Sequence, residues 1–456
     1  MTPVTSSSVG RLIRAFVLVL SPAALPVRAD ILYDAALDAY RVTDYPEQYP
    51  CTLELLAEMD RLLGVGKAAY DAAGQTCTLQ CDLVIGDNKG RNAYFQIGCA
   101  SRPRETLVIH GNIWVCPYFV TGENPEKYWW HAAAHTNRLS VGNPDDNSVH
   151  ASILFGAGPG NKRFCLVTGE RPHPNEKPGF GRGGQLMAWN GLISAAKQEK
   201  GGEIGGLRLR GDGFVFVNST LSWVQGMMGY GASPGWRKTI RVENSTFAHG
   251  GTAVVGGQHC WTNCRIIDCG TAVLDYGSVD VTLRNCILQR NQCNWHLRFP
   301  GKRAGTLACI DCTIEPPLRG NTMELHQTQS IKALRDKGIA LHNPRLFDLR
   351  HVVVAVRDPA GKPVADAVVA VHAEQPGSEV DEGRRYRTNK DGRTPGKGES
   401  DAILLPLRRE DAVTKGEAPS VTDFTYSITV TANGKNTTVT KVRPLRSWKQ
   451  VALTLE

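Results

Sequence analysis

Apolar residues along most of this chain come in runs too short for helices and alternate with polar ones. Val215-Phe216-Val217, Ile240-Arg241-Val242 and Val281-Thr282-Leu283 are β-rich triplets of this kind, the period-two signature of strands. Each precedes a recurring phrase: Asn or Asp, a small residue, any residue, then an apolar one. It reads Asn218-Ser219-Thr220-Leu221, Asn244-Ser245-Thr246-Phe247, Asn263-Cys264-Arg265-Ile266, Asn285-Cys286-Ile287-Leu288 and Asp311-Cys312-Thr313-Ile314, at steps of 26, 19, 22 and 26 residues. Recurrence at such intervals predicts a solenoid. Asn tolerates the left-handed backbone region better than other non-glycine residues, so it marks a bend between two strands. Further on the phrase partly repeats in Gly251-Thr252-Ala253-Val254, Gly270-Thr271-Ala272-Val273 and Gln292-Cys293-Asn294-Trp295. Each period then holds three short strands and their turns.

Three strands per period make one coil of a parallel β-helix, whose neighbours would stack about 4.8 Å apart. One coil cannot bury its own apolar face, and stacking creates the core. Over residues 205–317 the repeat resembles the right-handed parallel β-helix of the pectate-lyase-like superfamily. The fold expected is therefore all-β, with a helical cap before the coils and a small β-sandwich after them.

The cap is expected in residues 30–105. Leu55, Leu56, Met59, Leu62 and Leu63 form a helical stripe that stops at Gly64, and such a helix would cover the open end of the coils. Residues 106–317 are assigned to the β-helix, its early coils interrupted by excursions such as Arg171–Gly184. Residues 318–349 read as a polar connector with some helix potential. From about 350 to 456 the pattern is short strands and turns. Gly361-Lys362-Pro363-Val364-Ala365-Asp366-Ala367-Val368-Val369 and the turn Asn389-Lys390-Asp391-Gly392 resemble the small β-sandwich of the carboxypeptidase-regulatory-like or Cna-B-like type. That resemblance implies a non-catalytic spacer or binding unit.

Residues 1–29 carry Arg11 and Arg14, then Ala15-Phe16-Val17-Leu18-Val19-Leu20, then Val27-Arg28-Ala29. This is the pattern of a secretory signal peptide cleaved after Ala29, and its apolar stretch is too short for a membrane span. A secreted, periplasmic or cell-envelope location is expected. Cleavage removes three arginines and no acids, taking the formal net charge from +8 to +5. That charge does not point to nucleic acid, and it would not repel an anionic glycan. The 13 cysteines are an odd count, so at least one thiol stays unpaired. Cys264, Cys286 and Cys312 share one place in the repeat, which predicts a stacked inward column of small apolar fillers.

Candidate chemistry centres on Arg298-Phe299-Pro300-Gly301-Lys302-Arg303-Ala304-Gly305. It resembles the Arg-x-Pro-x-x-Arg-x-Gly stretch of pectate lyases, with Asp311 at the bend six residues after the glycine. The resemblance implies that Arg298 takes the proton alpha to a uronate carboxylate and that Arg303 clamps the substrate, a role suited to two parallel N–H donors. The strand Cys269-Gly270-Thr271-Ala272-Val273 lacks the carboxylates calcium would need, so no cofactor is expected unless another face supplies a calcium site. On strand alternation Asn294, His296 and Arg298 form an outward column, with Tyr276 one coil back and Asp268 and Asp275 near. His296 is the acid–base candidate there, and Asn294 and Tyr276 are substrate contacts. Trp129, Trp130 and Trp236 are candidate sugar-stacking residues. His131 and His135 stand at a metal-ligand spacing, but the Glu of a zinc protease is missing. The expected partner is a polysaccharide or other cell-surface glycan, with a lyase or hydrolase acting on an acidic glycan as the leading reading. The alternative is a non-catalytic extracellular scaffold or adhesin. Ala253, Ala272 and Val255 on the expected outward face favour the latter.

Overall fold

A computed structural model describes residues 30–45, 47–86, 93–116, 137–157, 164–168, 184–196, 199–200, 203–204, 207–210, 213–228, 240–297, 300, 305–325, 329–414, 420–444 and 450–455. The chain is all-β apart from two helices among these residues, Leu53–Leu63 and Gln329–Asp336. It divides into two compact units, residues 1–198 with 206–215, and residues 199–205 with 216–456.

In the first unit the strands fall into three parallel stacks that the chain visits in rotation. One holds Ala39–Thr43, Asp82–Ile85, Ile113–Val115, Phe164–Thr168 and Leu207–Arg210. A second holds Cys51–Thr52, Tyr94–Ile97, Arg138–Val141 and Gln185–Trp189. The third holds Thr76–Leu79, Thr106–Ile109, Ser152–Phe155 and Leu192–Ala195. Alternate residues point to one interior, so aligned apolar columns form, such as Leu83, Ile113, Leu166 and Leu209, all buried. Parallel sheets stacked in order in this way are compatible with a parallel β-helix.

The helix Leu53–Leu63 begins where Thr52 Oγ1 accepts the Leu55 N–H at 3.3 Å, satisfying a donor the first turn leaves open. It ends at Gly64, whose φ of 66° is the left-handed cap glycine allows. Leu62, expected on its buried stripe, is 57% exposed. The buried face is instead Leu53, Leu56, Ala57, Met59 and Asp60. A carboxylate can lie on that face because Tyr40 Oη donates to Asp60, as do the N–H groups of Gly66 (3.1 Å) and Lys67 (2.8 Å). Buried charge is tolerated only when bonded in this way.

The second unit repeats the three-stack pattern. The first stack holds Ile240–Glu243, the ends of Thr252–Thr262 and Thr271–Arg284, Thr306–Ile310 and the start of Arg345–Arg357. The next holds Thr220–Ser222, Thr246–Ala248, Arg265–Ile267, Ile287–Gln289 and Thr313–Ile314. The last holds Val224–Met228, the starts of the two long strands, and Cys293–His296. Two of the three short strands expected per period are thus fused in Thr252–Thr262 and in Thr271–Arg284. The first turns its corner at Gly256 and Gly257, both left-handed (φ 53° and 75°), where the register to the next strand shifts.

The three specified letters of the recurring phrase each have a physical role. Asn218, Asn244, Asn263, Asn285 and Asp311 are all left-handed, with φ between 48° and 56°. Each N–H donates to the coil that follows: Asn218 to Glu243 O, Asn244 to Thr262 O, Asn263 to Arg284 O, Asn285 to Ile310 O and Asp311 to Leu349 O. The small residue faces in and bonds the carbonyl two residues back, as Ser219 Oγ does to Val217 O (2.9 Å) and Cys264 Sγ to Thr262 O (3.1 Å). The apolar residue fills the interior, and Leu221, Phe247, Ile266 and Leu288 are buried.

The strand Arg345–Arg357 does double duty. Residues 345–349 pair in parallel with Thr306–Ile310, and 353–357 pair with Gln450–Thr454, while Ile403–Asp411 runs antiparallel beside its first half. A second, antiparallel sheet is ordered Arg385–Arg387, Val368–Ala373, Tyr426–Ala432 and Lys435–Val442. The two sheets share a core that includes Val354, Val369, Ile403, Leu405, Phe424 and Ile428. The Tyr426 hydroxyl at its edge donates to Pro406 O at 2.7 Å.

Candidate functional site

Four coils of the second unit have a further left-handed residue five places after the Asn bend. These are Trp223, His249, Asp268 and Arg290, with φ of 58°, 55°, 55° and 51°. Left-handed backbone costs a β-carbon-bearing residue about 1–2 kcal/mol, so four unrelated side chains need a common cause. For three of them that cause is the backbone ladder: Trp223 N–H donates to Ala248 O, His249 N–H to Ile267 O and Asp268 N–H to Gln289 O. With the N–H turned into the ladder, side-chain identity is left to other demands. The next place in the series is Pro316, whose ring holds φ near −65°, and the column ends there.

The four side chains form one outer stripe. The Trp223 and His249 rings stack with centroids 5.2 Å apart and planes at 22°. His249 Nδ1 lies 3.8 Å from Asp268 Oδ2. Arg290 grips Asp268 in a fork, Nε to Oδ1 and Nη2 to Oδ2, both at 2.7 Å. The Arg290 bonds hold the Asp268 carboxyl below the usual carboxylate range; partial burial opposes this, and His249 adds to it. The side chains of His249, Asp268 and Arg290 are 47, 29 and 52% exposed. At about 4.8 Å per coil the stripe offers one functional group per step. A second column, one residue per coil, holds Thr220, Thr246, Arg265, Ile287 and Thr313.

The residues singled out from the sequence lie elsewhere. Arg298, Arg303, Trp129, Trp130 and Trp236, with His131 and His135, fall outside the described residues, as does the side chain of Tyr276. His296 aligns with Leu274 and, through it, with Val255, as the spacing predicts, and is partly exposed next to Thr322. Asn294 is a correction. It is 1% exposed, its Nδ2 donating to Glu315 O at 2.8 Å and its Oδ1 accepting from Asn291 Nδ2 at 3.2 Å. Ala253, Ala272 and Val255, expected to face outward, are buried too. Alternation fails here because Val254, Val273 and Trp295 between them are also buried; a strand stack covered on both faces carries no in–out signal. Asp268, read as a neighbour of His296, is bonded to Arg290 and near His249 instead.

The outer stripe was invisible in the sequence because its members share no chemistry. Its only trace is the constant offset of five from each Asn. Among the described residues no group of three or more His, Cys, Asp or Glu could hold a metal ion, and no helix is long and apolar enough to cross a membrane. No family model, curated protein or solved structure matches the chain.

Proposed function

We propose that this chain is an exported right-handed parallel β-helix of pectate-lyase-like type, carrying a carboxypeptidase-regulatory-like sandwich, and that it engages an extracellular polysaccharide along the outer stripe. The observation that carries the reading is the column Trp223, His249, Asp268 and Arg290. The stacked Trp223–His249 pair offers apolar ring surface of the kind sugar rings lie against. The Arg290–Asp268 pair presents charged donors and acceptors to hydroxyl or carboxylate groups. Groups repeated at one strand spacing suit a linear polymer better than a compact small molecule. The export signal in residues 1–29 supports an extracellular partner, and the helix Leu53–Leu63 is suited to cap the coils.

Binding to a panel of neutral and acidic polysaccharides tests this, with Trp223→Ala and Arg290→Ala as variants. Truncating a contact that matters costs more than about 1 kcal/mol, so each should weaken binding by about fivefold or more. A parallel screen for new unsaturated or reducing ends, with Arg298→Ala as control, separates a lyase or hydrolase from a binder. The scaffold reading draws on the outward column Cys260, Thr282 and Ala308, three short side chains aligned on successive coils. It prevails if no glycan binds; if both stripe variants bind as the parent does, the glycan site lies away from the stripe.

A further inference from the structure

Cys264, Cys286, Cys309 and Cys312 are not disulfide-bonded, yet they form a single chain of contacts. Cys264, Cys286 and Cys312 occupy one position on three successive coils. Paired residues fix that register on both sides: Thr262, Arg284 and Ile310 before it, Arg265, Ile287 and Thr313 after it. All three are buried, as is Cys309, which faces the same interior one bend earlier. The Cys264 thiol contacts Cys286, Cys286 contacts Cys312, and Cys312 contacts Cys309. The two end thiols each have one thiol neighbour in the series, and the two middle ones have two.

We propose that under oxidising conditions these four thiols close into two disulfides, Cys264–Cys286 and Cys309–Cys312. A Cys286–Cys312 bond would strand both end thiols, whereas the proposed pairing uses all four. In-register neighbours on adjacent coils stand about 4.8 Å apart, inside the Cα separation of about 4.4–6.8 Å that a disulfide spans. Cys309 and Cys312 flank the left-handed bend at Asp311 (φ 51°), which folds the chain back between them.

The thiolate of Cys309 or Cys312 attacks a small-molecule disulfide such as oxidised glutathione, forming a mixed disulfide and releasing one glutathione thiolate. The other thiol of the pair, giving up its proton, then displaces the second glutathione. Two protein thiols are oxidised and one glutathione disulfide is reduced to two thiols, and the same exchange serves Cys264 and Cys286. Burial keeps the oxidant out of the closed interior, so the exchange belongs to folding, before the coils seal.

The test is to fold the full chain in a reduced/oxidised glutathione buffer, alkylate remaining thiols, digest with trypsin and fragment the peptides by mass spectrometry. Arg265 and Arg284 lie between Cys264 and Cys286, so their bond joins two separate peptides. No Lys or Arg lies between Cys309 and Cys312, so theirs appears as one unalkylated peptide lighter by a pair of hydrogens. Both signatures are expected. A Cys286–Cys312 link, or alkylation of all four, overturns the proposal. In Cys309→Ser the Cys264–Cys286 link should persist while Cys312 becomes alkylated. Alkylation of Cys264 in that variant would show that contact order does not set the pairing.

Discussion

Asp311 ends the asparagine ladder by gripping His351. Its Oδ1 accepts the His351 N–H at 3.0 Å and its Oδ2 meets His351 Nδ1 at 2.5 Å, with Lys397 Nζ 3.7 Å from Oδ2. Up to that point amide bonds amide: Asn263 Nδ2 donates to Asn244 Oδ1, and Asn285 Nδ2 to Asn263 Oδ1, both at 3.1 Å. The next rung needs a donor for Asn285 Oδ1, and an ionised carboxylate has none. Asn285 Oδ1 is accordingly buried without a hydrogen-bond partner. The carboxylate at this rung turns the ladder outward, toward the strand that leads into the sandwich.

Replacing Asp311 with Asn should therefore cost stability at neutral pH while repairing the ladder. The lost charge-assisted bonds are worth about 1.5–3 kcal/mol, and one regained neutral bond about 1. A net loss of about 1–2 kcal/mol in urea unfolding is expected at pH 7. Burial raises the Asp311 carboxyl's pKa, but the His351 bonds and Lys397 outweigh it, so the net shift is downward. A carboxyl with a depressed folded pKa stabilises above its unfolded value and loses that contribution as pH falls through the folded one. The gap between parent and variant should narrow below about pH 4; a gap unchanged at pH 3 would contradict this.

His259 should make the fold acid-sensitive. It lies in the interior between Ile240 and Val281 on the neighbouring coils, its two ring nitrogens buried without a hydrogen-bond partner, and burial lowers its pKa to about 3, the Gly256 backbone opposing the shift. Its neutral form is the folded form. Below about pH 6.5 the unfolded chain gains a proton that the folded chain refuses, so stability falls from there down to the folded pKa. At pH 5 this amounts to about 2 kcal/mol. His259→Leu should lose less stability than the parent between pH 7.5 and pH 5, read by urea midpoints; equal losses would mean the ring is not buried neutral.

At Asn263 two contributions can be separated. Asn263→Gly removes the ladder bonds but keeps the left-handed bend free of strain. Asn263→Ala removes the bonds and adds a β-carbon to that conformation, about 1–2 kcal/mol more. Alanine should be the less stable of the two by about 1 kcal/mol, after the greater freedom of glycine in the unfolded chain is set against it. Equal midpoints would remove the bend from the argument.

The shared strand decides where the C-terminal part can be cut. A fragment from residue 344 keeps all of Arg345–Arg357 and its pairing with Ile403–Asp411. One starting at 351 leaves Leu405–Asp411 without a partner on that side. Amide dispersion in a two-dimensional NMR spectrum should be native-like for the longer fragment and degraded for the shorter. A well-dispersed spectrum from both would show that residues 345–350 serve the coils alone.

What the sequence determined by itself was local: strands, Asn bends and the stacking period. A left-handed corner that must also bond its neighbour selects Asn strongly enough to leave a phrase. The inward Ser and Cys are legible for the same reason, since a short donor is needed to close each bend. Which faces are covered was decided only by the tertiary structure. Asn294, Ala253 and Ala272 sit in strands buried on both sides, and there the period of two carries no orientation. The outer stripe is tertiary in the same sense. Trp223, His249, Asp268 and Arg290 lie 26, 19 and 22 residues apart and meet only because the coils between them close into register. The backbone ladder, not side-chain preference, holds Trp223, His249 and Asp268 in their left-handed conformation.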